Sequence, residues 1–144
     1  MKLVFPAAVE PQDGGFLVTF RDLPEAITEG DTLEEALLNA EDCLDEAIAG
    51  RLDDSEAIPK PSAPLQAEHL VVLPIETSLK LALMLAVSAH GLTKTALAQL
   101  LEVDEKVARR LLDPHYSSKL SVMQKALRAL KAGVAIEVDD YATA

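Results

Sequence analysis

Apolar residues recur at every second position in parts of the first thirty residues, the pattern of strands with one buried face. Residues 3–9 form an apolar segment interrupted by Pro6, a second alternating segment runs from Phe16 to Phe20, and Gln-Asp-Gly-Gly at positions 12–15 lies between them. This arrangement predicts a β-hairpin. Because proline has no amide proton, we expect the first strand to lie at a sheet edge or to bulge at Pro6. Residues 26–29 predict a third, short strand.

The apolar period lengthens at Thr32 to the three-and-four spacing of a helix. The sequence TLEE at positions 32–35 has the spacing of a capping box, in which a hydroxyl and a carboxylate accept from the free amides of a helix start. We expect a helix from there to Gly50, with a single buried stripe that includes Cys43. Packed on the sheet, this helix makes a small α+β unit of about 60 residues.

A proline-rich segment follows, with three prolines between Ile58 and Pro64, and it predicts an extended linker. Residues 69–73 indicate a short strand. Residues 75–89 predict a helix that is apolar on almost every side, as expected inside a helical bundle or a subunit interface. The chain is therefore divided into a domain over residues 1–57, a linker over 58–67 and a second, mainly helical domain over 68–144.

Two short helices joined by a tight turn are predicted between Thr93 and Pro114, the geometry of a helix-turn-helix. Thr93 and Asp104 have the positions of N-caps, Glu102-Val103 makes the turn, and residues 121–132 supply a third helix. Basic residues at spacings of three and four share the outer face of the second helix, where arginine can read guanine in a major groove. The predicted DNA-binding residues are Lys94, Glu105, Lys106, Arg109, Arg110, Ser118 and Lys119. Residues 134–138 indicate a strand that could pair between subunits.

The charge distribution separates the two halves of the chain. The net charge is −11, yet residues 1–64 alone carry −11, residues 65–144 are neutral, and residues 92–131 carry +4. An acidic domain joined to a basic module suggests two partners of opposite charge. The single cysteine, Cys43, and the absence of a signal peptide or a membrane-length apolar run predict a cytoplasmic protein with no membrane role.

Candidate catalytic chemistry is weak. The acids near predicted strand ends and the helix start are Asp22, Glu25, Asp31 and Glu35, and their simpler interpretation is turn formation and capping. The three histidines are scattered without metal-ligand spacing, and no phosphate-binding glycine loop is present. We therefore expect neither an enzyme nor a bound cofactor or metal.

Residues 97–111 resemble the helix-turn-helix family typified by phage repressors, with Leu97-Ala98, Leu101, Val103, Ala108 and Leu111 at the family's spacing. Glu102 departs from that pattern, because the family generally has glycine in this turn, where a positive φ is needed. Glu102 there implies strain or a slightly different turn. The neighbouring acids Asp104 and Glu105 repel phosphate, so one module should bind weakly and a dimer is expected.

The N-terminal half has a resemblance of its own. The sequences DGGF at 13–16, VTFRDLPEA at 18–26, TEGDT at 28–32, EEA at 34–36 and IPKPS at 58–62 are similar in type and order to the HicB antitoxin family. The resemblance covers roughly residues 2–64, and a C-terminal helix-turn-helix is a known companion of that domain. It implies a degenerate, partial ribonuclease H-like fold that binds and masks HicA, a small basic mRNA-cleaving toxin, while the C-terminal domain represses the shared operon at operator DNA.

Charge complementarity to a basic toxin suggests which residues make the contact. The predicted toxin-binding residues are Asp22, Glu25, Glu29 and Asp31, on the loops around the third strand, with the acids of the long helix as the alternative. A different function remains open at this point, a stand-alone transcription regulator whose acidic domain senses a small ligand. A ligand-sized apolar cavity between sheet and helix would favour it.

Overall fold

A computed structural model describes residues 1–140. The elements are β1 (Val4–Gln12), β2 (Gly15–Thr19), β3 (Ile27–Gly30), α1 (Leu33–Asp53), β4 (His69–Val72), α2 (Ile75–Ala89), α3 (Lys94–Leu101), α4 (Glu105–Leu111) and α5 (Leu120–Ala129). A small antiparallel sheet with one long helix is followed by shorter helices, which confirms the predicted α+β class. The described residues form two compact units, one of residues 1–74 together with residues 138–140, the other of residues 75–137.

The sheet has four strands in the order β3-β2-β1-β4, and every neighbouring pair is antiparallel. The predicted hairpin is β1-β2, with the turn at Asp13 and Gly14. The expected edge position of the first strand is wrong, because β1 has neighbours on both sides. Its first half, Val4 to Ala7, pairs with β4, and its second half, Ala8 to Gln12, pairs with β2. Pro6 thus lies where β1 is paired on one side, which suits a residue without an amide proton.

Helix α1 covers the sheet and begins where the sequence predicts. The Thr32 hydroxyl accepts from the Glu35 amide at 3.1 Å, and the Glu35 carboxylate accepts from the Asp31 amide at 3.2 Å. The buried stripe contains Ala36, Ala40, Leu44 and Ile48, and the helix contacts all four strands. Gly50 does not end the helix, contrary to expectation. Three further residues continue it to Asp53, because Leu52 is also buried against the unit.

The proline-rich segment is held against the N-terminal unit. Residues 57–66 contain neither helix nor strand. The carbonyls of Ala57 and Ala63 accept from the guanidinium groups of Arg51 and Arg21, respectively, and Ser62 bonds to Asp22. The strand that follows, β4, joins this same sheet, whereas the second domain was expected to begin at residue 68. Strand pairing with β1 is the reason for the difference, since that partner lies more than sixty residues earlier in the chain.

The C-terminal unit is built around one apolar core. Its buried members come from all four helices: Leu79, Leu83, Val87, Leu97, Ala98, Leu101, Ala108, Leu111, Met123, Ala126 and Leu127, with Leu130 just after α5. Residues 133–140 have no regular secondary structure, so the strand predicted over 134–138 is not formed in this chain. No single helix within residues 1–140 is long and apolar enough to cross a membrane; α2 and α3 reach that length only together, and the chain bends by 102° between them.

Candidate functional site

Helices α3 and α4 are joined by three residues, 102–104. The Thr93 hydroxyl caps α3 by accepting from the Ala96 amide at 3.0 Å. Glu102 ends α3 in the left-handed region, with φ 55° and ψ 46°, and its amide donates back into the last turn of α3. A side chain with a Cβ is unfavourable there by about 1 kcal/mol or more. The positive φ expected at this position is therefore present, and it is adopted by a glutamate.

The outer face of α4 carries the predicted basic residues. Lys106, Arg109 and Arg110 are exposed, whereas Ala108 and Leu111 on the same helix are buried in the core. Two of the three, Arg109 and Arg110, lie in the last turn, where positive charge is favoured by the helix dipole. The structure thus places three cations on the solvent side of a seven-residue helix.

Acidic residues at the start of α4 differ from expectation in detail. Asp104 has the N-cap position, but its side chain makes no capping hydrogen bond, so its predicted capping role is wrong. Glu105 accepts a hydrogen bond from the Thr95 hydroxyl of α3. Lys94 is exposed at the first position of α3, immediately after the cap. Glu105 consequently links the two helices, and Lys94 lies at a helix N-terminus.

A buried lysine that was not among the predicted site residues lies behind α4. Lys80 of α2 is 0% exposed, and its Nζ donates to the Arg110 carbonyl at 2.7 Å and to the Ser118 hydroxyl at 2.6 Å. Burial lowers the pKa of its ammonium, while the nearby carboxylates of Glu76 and Asp113 act in the opposite direction. The only sequence signal was a lysine inside the apolar run of α2, because its partners are 30 and 38 residues away.

The same network contains an aromatic ring and the loop before α5. The Arg110 guanidinium carbon lies 4.9 Å from the centre of the Tyr116 ring, within the range of a cation–π contact, and Lys80 Nζ lies 5.8 Å from it. The Ser118 amide donates to the Glu76 carboxylate at 3.2 Å. Ser118 is therefore half-buried and engaged within the unit, whereas its predicted companion Lys119 is exposed at the N-cap of α5.

Two of the predicted toxin-binding acids have partners in their own unit. Asp22 accepts from the Ser62 amide at 2.9 Å and from the Ser62 hydroxyl at 2.6 Å. Glu25 forms an ion pair with Arg51 of α1, with a second hydrogen bond of 3.1 Å, and the hydrogen bond to Arg51 lowers the pKa of its carboxyl. These two acids hold the loop and the proline-rich segment in place, which the sequence did not reveal because the partners lie 40 and 26 residues away.

The other two acids, Glu29 and Asp31, are exposed beside the edge strand β3. The Glu29 carboxylate accepts from the Gln12 amide group at 3.2 Å across the end of the sheet. Asp31 follows β3 directly and precedes the α1 cap. Among residues 1–140, no three His, Cys, Asp or Glu side chains come together in a way that could hold a metal ion. Of the four acids considered for catalysis, Asp22 bonds to Ser62, Glu25 pairs with Arg51, and the Glu35 carboxylate accepts from the Asp31 amide.

An apolar groove of about 810 Å³ runs between α1 and β4 in the N-terminal unit. Leu33, Leu37, Leu38, Leu70 and Val72 supply its apolar lining. Its polar lining is largely acidic and includes carboxylates from α1 and from residues 139 and 140. The groove is of the size that small ligands occupy, although it is open to solvent.

Comparison with known proteins identifies the class of this chain. A family model described as the HicB-like antitoxin of a bacterial toxin-antitoxin system matches residues 4–82, which is more than half of the sequence and includes the whole of the sheet and α1. The chain is thus an antitoxin of a toxin-antitoxin system.

Relatives match over nearly the full length of the chain. Antitoxin HicB of Escherichia coli strain K12 is 32% identical over 127 residues, covering 88% of this chain and 92% of that protein. Antitoxin HicB 1 of Photorhabdus laumondii is 32% identical over 136 residues, covering 94% and 86%, and Antitoxin HicB 2 of the same organism is 33% identical over 126 residues, covering 88% and 89%. The chain belongs to the HicB antitoxin family, which confirms the resemblance found in the sequence.

Proposed function

We propose that the N-terminal unit binds and masks a HicA-type mRNA-cleaving toxin and that the C-terminal unit, as a helix-turn-helix dimer, binds operator DNA and represses the operon. The observation that carries this proposal is the division of charge at the unit boundary. Residues 1–74 with 138–140 contain eighteen acids and four bases, a net of −14, whereas residues 75–137 contain six acids and nine bases, a net of +3. The family implies a toxin partner and a regulatory rather than an enzymatic role.

Toxin binding by the acidic unit follows from charge complementarity. A nuclease that grips RNA phosphates needs a basic surface, and an acidic surface competes with RNA for it. Asp22 and Glu25 hold the loop and the proline-rich segment in place. Glu29 and Asp31 are exposed, and the Glu29 carboxylate accepts a hydrogen bond from Gln12 at the surface, so we place the main toxin contact at these two acids. The degenerate ribonuclease H-like character of this unit belongs to the same proposal.

The toxin site can be tested with two variants that remove the same charge. Glu29→Gln combined with Asp31→Asn should weaken binding of a HicA-type toxin by about tenfold or more, and should reduce the salt dependence of binding. Glu41→Gln combined with Glu46→Gln, on the exposed face of α1, is the control and should change little. Isothermal titration at two salt concentrations measures both. A larger loss in the α1 variant would move the site to the helix, and unchanged affinity in both would refute the electrostatic account.

DNA binding is supported by the exposed cations of α4 and by the short connection from α3. A helix presenting Lys106, Arg109 and Arg110 has the side chains that read guanine edges and phosphates in a major groove. The Glu102 turn gives the two helices the close spacing expected of a helix-turn-helix. With few cations per unit, each unit neutralises few phosphates, so specific binding at physiological salt requires two copies.

Arg109 provides the sharpest test of the DNA surface. Arg109→Ala should cost roughly 1 to 3 kcal/mol on the DNA upstream of this gene, measured by fluorescence anisotropy, if the side chain reads a base. Arg128→Ala, an exposed residue of α5, removes the same charge and should cost much less. An equal loss on random DNA would show that Arg109 contacts phosphate only, and no loss on either DNA would remove α4 from the interface.

A dimer completes the proposal. Leu85 of α2 and Leu100 of α3 are about half exposed, and Leu120 is 63% exposed, so the C-terminal unit carries apolar surface outside its own core. A twofold dimer would place two α4 helices about 34 Å apart on a palindromic operator. Light scattering of the purified chain should give twice the monomer mass, and a monomer that still binds its operator specifically would contradict this part.

The groove between α1 and β4 favours one second candidate, a regulator that senses a small ligand. Its volume of about 810 Å³ and the leucines of its lining support this candidate, although the groove is open to solvent and not an enclosed cavity. A small-molecule extract of the native cells should then raise the melting temperature of the wild type and change its DNA affinity. The Leu38→Lys variant, which places a charge in the groove, should respond to neither. An equal response of the wild type and of Leu38→Lys, or no response of the wild type, would refute the proposal that the groove senses a small ligand.

A further inference from the structure

The buried ammonium of Lys80 touches the end of α4 and the loop that precedes α5 at the same time. Its two acceptors are the Arg110 carbonyl, at 2.7 Å, and the Ser118 hydroxyl, at 2.6 Å. The last carbonyls of a helix have no partner within the helix, and a cation there is favoured by the helix dipole. Lys80 therefore fixes the end of α4 that carries two of its three exposed cations.

The loop between α4 and α5 is tied to the same point from a second side. Glu76, one turn before Lys80 on α2, accepts from the Ser118 amide at 3.2 Å. Tyr116, in the same loop, lies beneath the Arg110 guanidinium, with 4.9 Å between the guanidinium carbon and the ring centre. The Arg110 carbonyl is thus bound by Lys80 and the Arg110 guanidinium contacts Tyr116. Ser118, which precedes Lys119, is bound through both its hydroxyl and its amide.

We propose that Lys80 is a positioning residue for DNA recognition, which sets the alignment of Arg110 and Lys119 toward DNA without touching DNA itself. The inference rests on the proposed DNA binding by α4. Burying a charged group is costly unless it is well paired, and a leucine or methionine at this core position would avoid that cost. The lysine ammonium makes two hydrogen bonds that an apolar residue could not make, and these link α2 to the end of α4 and to the loop before α5. This link is a reason for a lysine at the position despite the cost of its burial.

The test compares Lys80→Met with Lys125→Met, an exposed lysine of α5 outside the predicted DNA surface. Both lose one positive charge. Lys80→Met should weaken binding of a duplex from upstream of this gene by about tenfold or more and lower the slope of log affinity against log salt, while Lys125→Met should change affinity by less than about threefold. Amide hydrogen exchange of residues 112–119 should become faster only in Lys80→Met. Circular dichroism establishes that both variants are folded at the assay temperature.

A second pair of variants keeps the inference testable if Lys80→Met does not fold. Glu76→Ala removes an acid, which by long-range electrostatics alone should tighten DNA binding, but it also releases the Ser118 amide. Positioning predicts weaker binding, and Glu76→Gln, which can still accept from that amide, should restore wild-type affinity or exceed it. Tighter binding by Glu76→Ala would overturn the inference.

The two proposals fail in different ways. A wild-type chain that shows no specific binding refutes DNA recognition, and the role of Lys80 is refuted with it. A wild-type chain that binds specifically, together with a folded Lys80→Met variant of equal affinity and equal salt slope, overturns only the inference about Lys80.

Discussion

Two glycines of the N-terminal unit, Gly30 and Gly50, give predictions of opposite sign for a substitution to alanine. A methyl group added at Gly30, at the end of β3, would lie 2.4 Å from the Ala36 amide nitrogen and 2.6 Å from its Cα. Since ordinary contact begins near 3.4 Å, the first turn of α1 would have to move by about 1 Å. That turn carries the first helical hydrogen bond, from the Ala36 amide to the Thr32 carbonyl, and the Thr32 cap.

Gly30→Ala should therefore destabilise the protein by about 2 to 4 kcal/mol, combining overpacking against backbone with a weakened cap. Gly50→Ala is the matched substitution within the same unit. Gly50 lies inside α1, a methyl group there meets nothing within 4 Å, and alanine should stabilise the helix by about 0.5 to 1 kcal/mol. For a unit of this size, about 4 to 8 °C of melting temperature corresponds to each kcal/mol.

Thermal and urea unfolding followed by far-ultraviolet circular dichroism measures both variants. Gly30→Ala should lower the melting temperature by about 10 °C or more, and Gly50→Ala should raise it by a few degrees. A Gly30→Ala protein with the midpoint of the wild type would show that β3 and α1 are farther apart than described. A Gly50→Ala protein that is less stable would show that α1 ends at Gly50, as the sequence alone suggested.

Three further predictions concern single side chains. Burial raises the pKa of the Cys43 thiol, so alkylation by iodoacetamide at neutral pH should be slower than in the urea-unfolded chain by about tenfold, and equal rates would show the thiol to be exposed. The lowered pKa of Glu25 means that its bond to Arg51 stabilises the fold above the ordinary carboxyl pKa of 4.5 and is lost as the pH falls through the lowered value. Glu25→Gln should therefore remove the contribution of this pair to the loss of stability in acid, which is less than about 1 kcal/mol because the pair is exposed. The free energy of unfolding in urea, measured at neutral and acid pH, should depend less on pH in this variant than in the wild type. Thr93→Ala should cost about 1 kcal/mol by loss of the α3 cap, whereas Asp104→Ala, which removes no capping bond, should cost little, and a reversed order in urea unfolding would contradict the assigned caps.

The sequence predicted the helices well because their signals are local. The cap at Thr32, the cap at Thr93 and the apolar stripe of α1 each depend on residues within a few turns of one another. Gly50 shows the limit of such signals, since burial of Leu52 extends the helix beyond a residue that often ends one. The positive φ at Glu102 was implied by the resemblance to the phage-repressor family, which generally has glycine in this turn.

What the sequence did not reveal depends on pairs that are distant along the chain. Strand β4 joins the sheet through residues near the start of the chain, and neither segment alone specifies the other. Lys80 looks like an isolated lysine in an apolar helix until α4 and its loop are placed beside it. Asp22 and Glu25 look like free surface acids until Ser62 and Arg51 reach them. Local periodicity contains no information about any of these contacts.

The divided pairing of β1 also has a consequence for the order in which this unit folds. The hairpin between β1 and β2 can form as soon as nineteen residues are available, but Val4 to Ala7 must wait for His69 to Val72 to be synthesised. Long-range strand pairs form slowly, and an unpaired strand is a site for association with other chains. Pro6 lies in this unpaired segment, Val4 to Ala7. Because proline has no amide proton, a strand of another chain that paired with the segment would find no hydrogen-bond donor at this position. A proline at this position is therefore expected to reduce association of the unpaired segment with other chains.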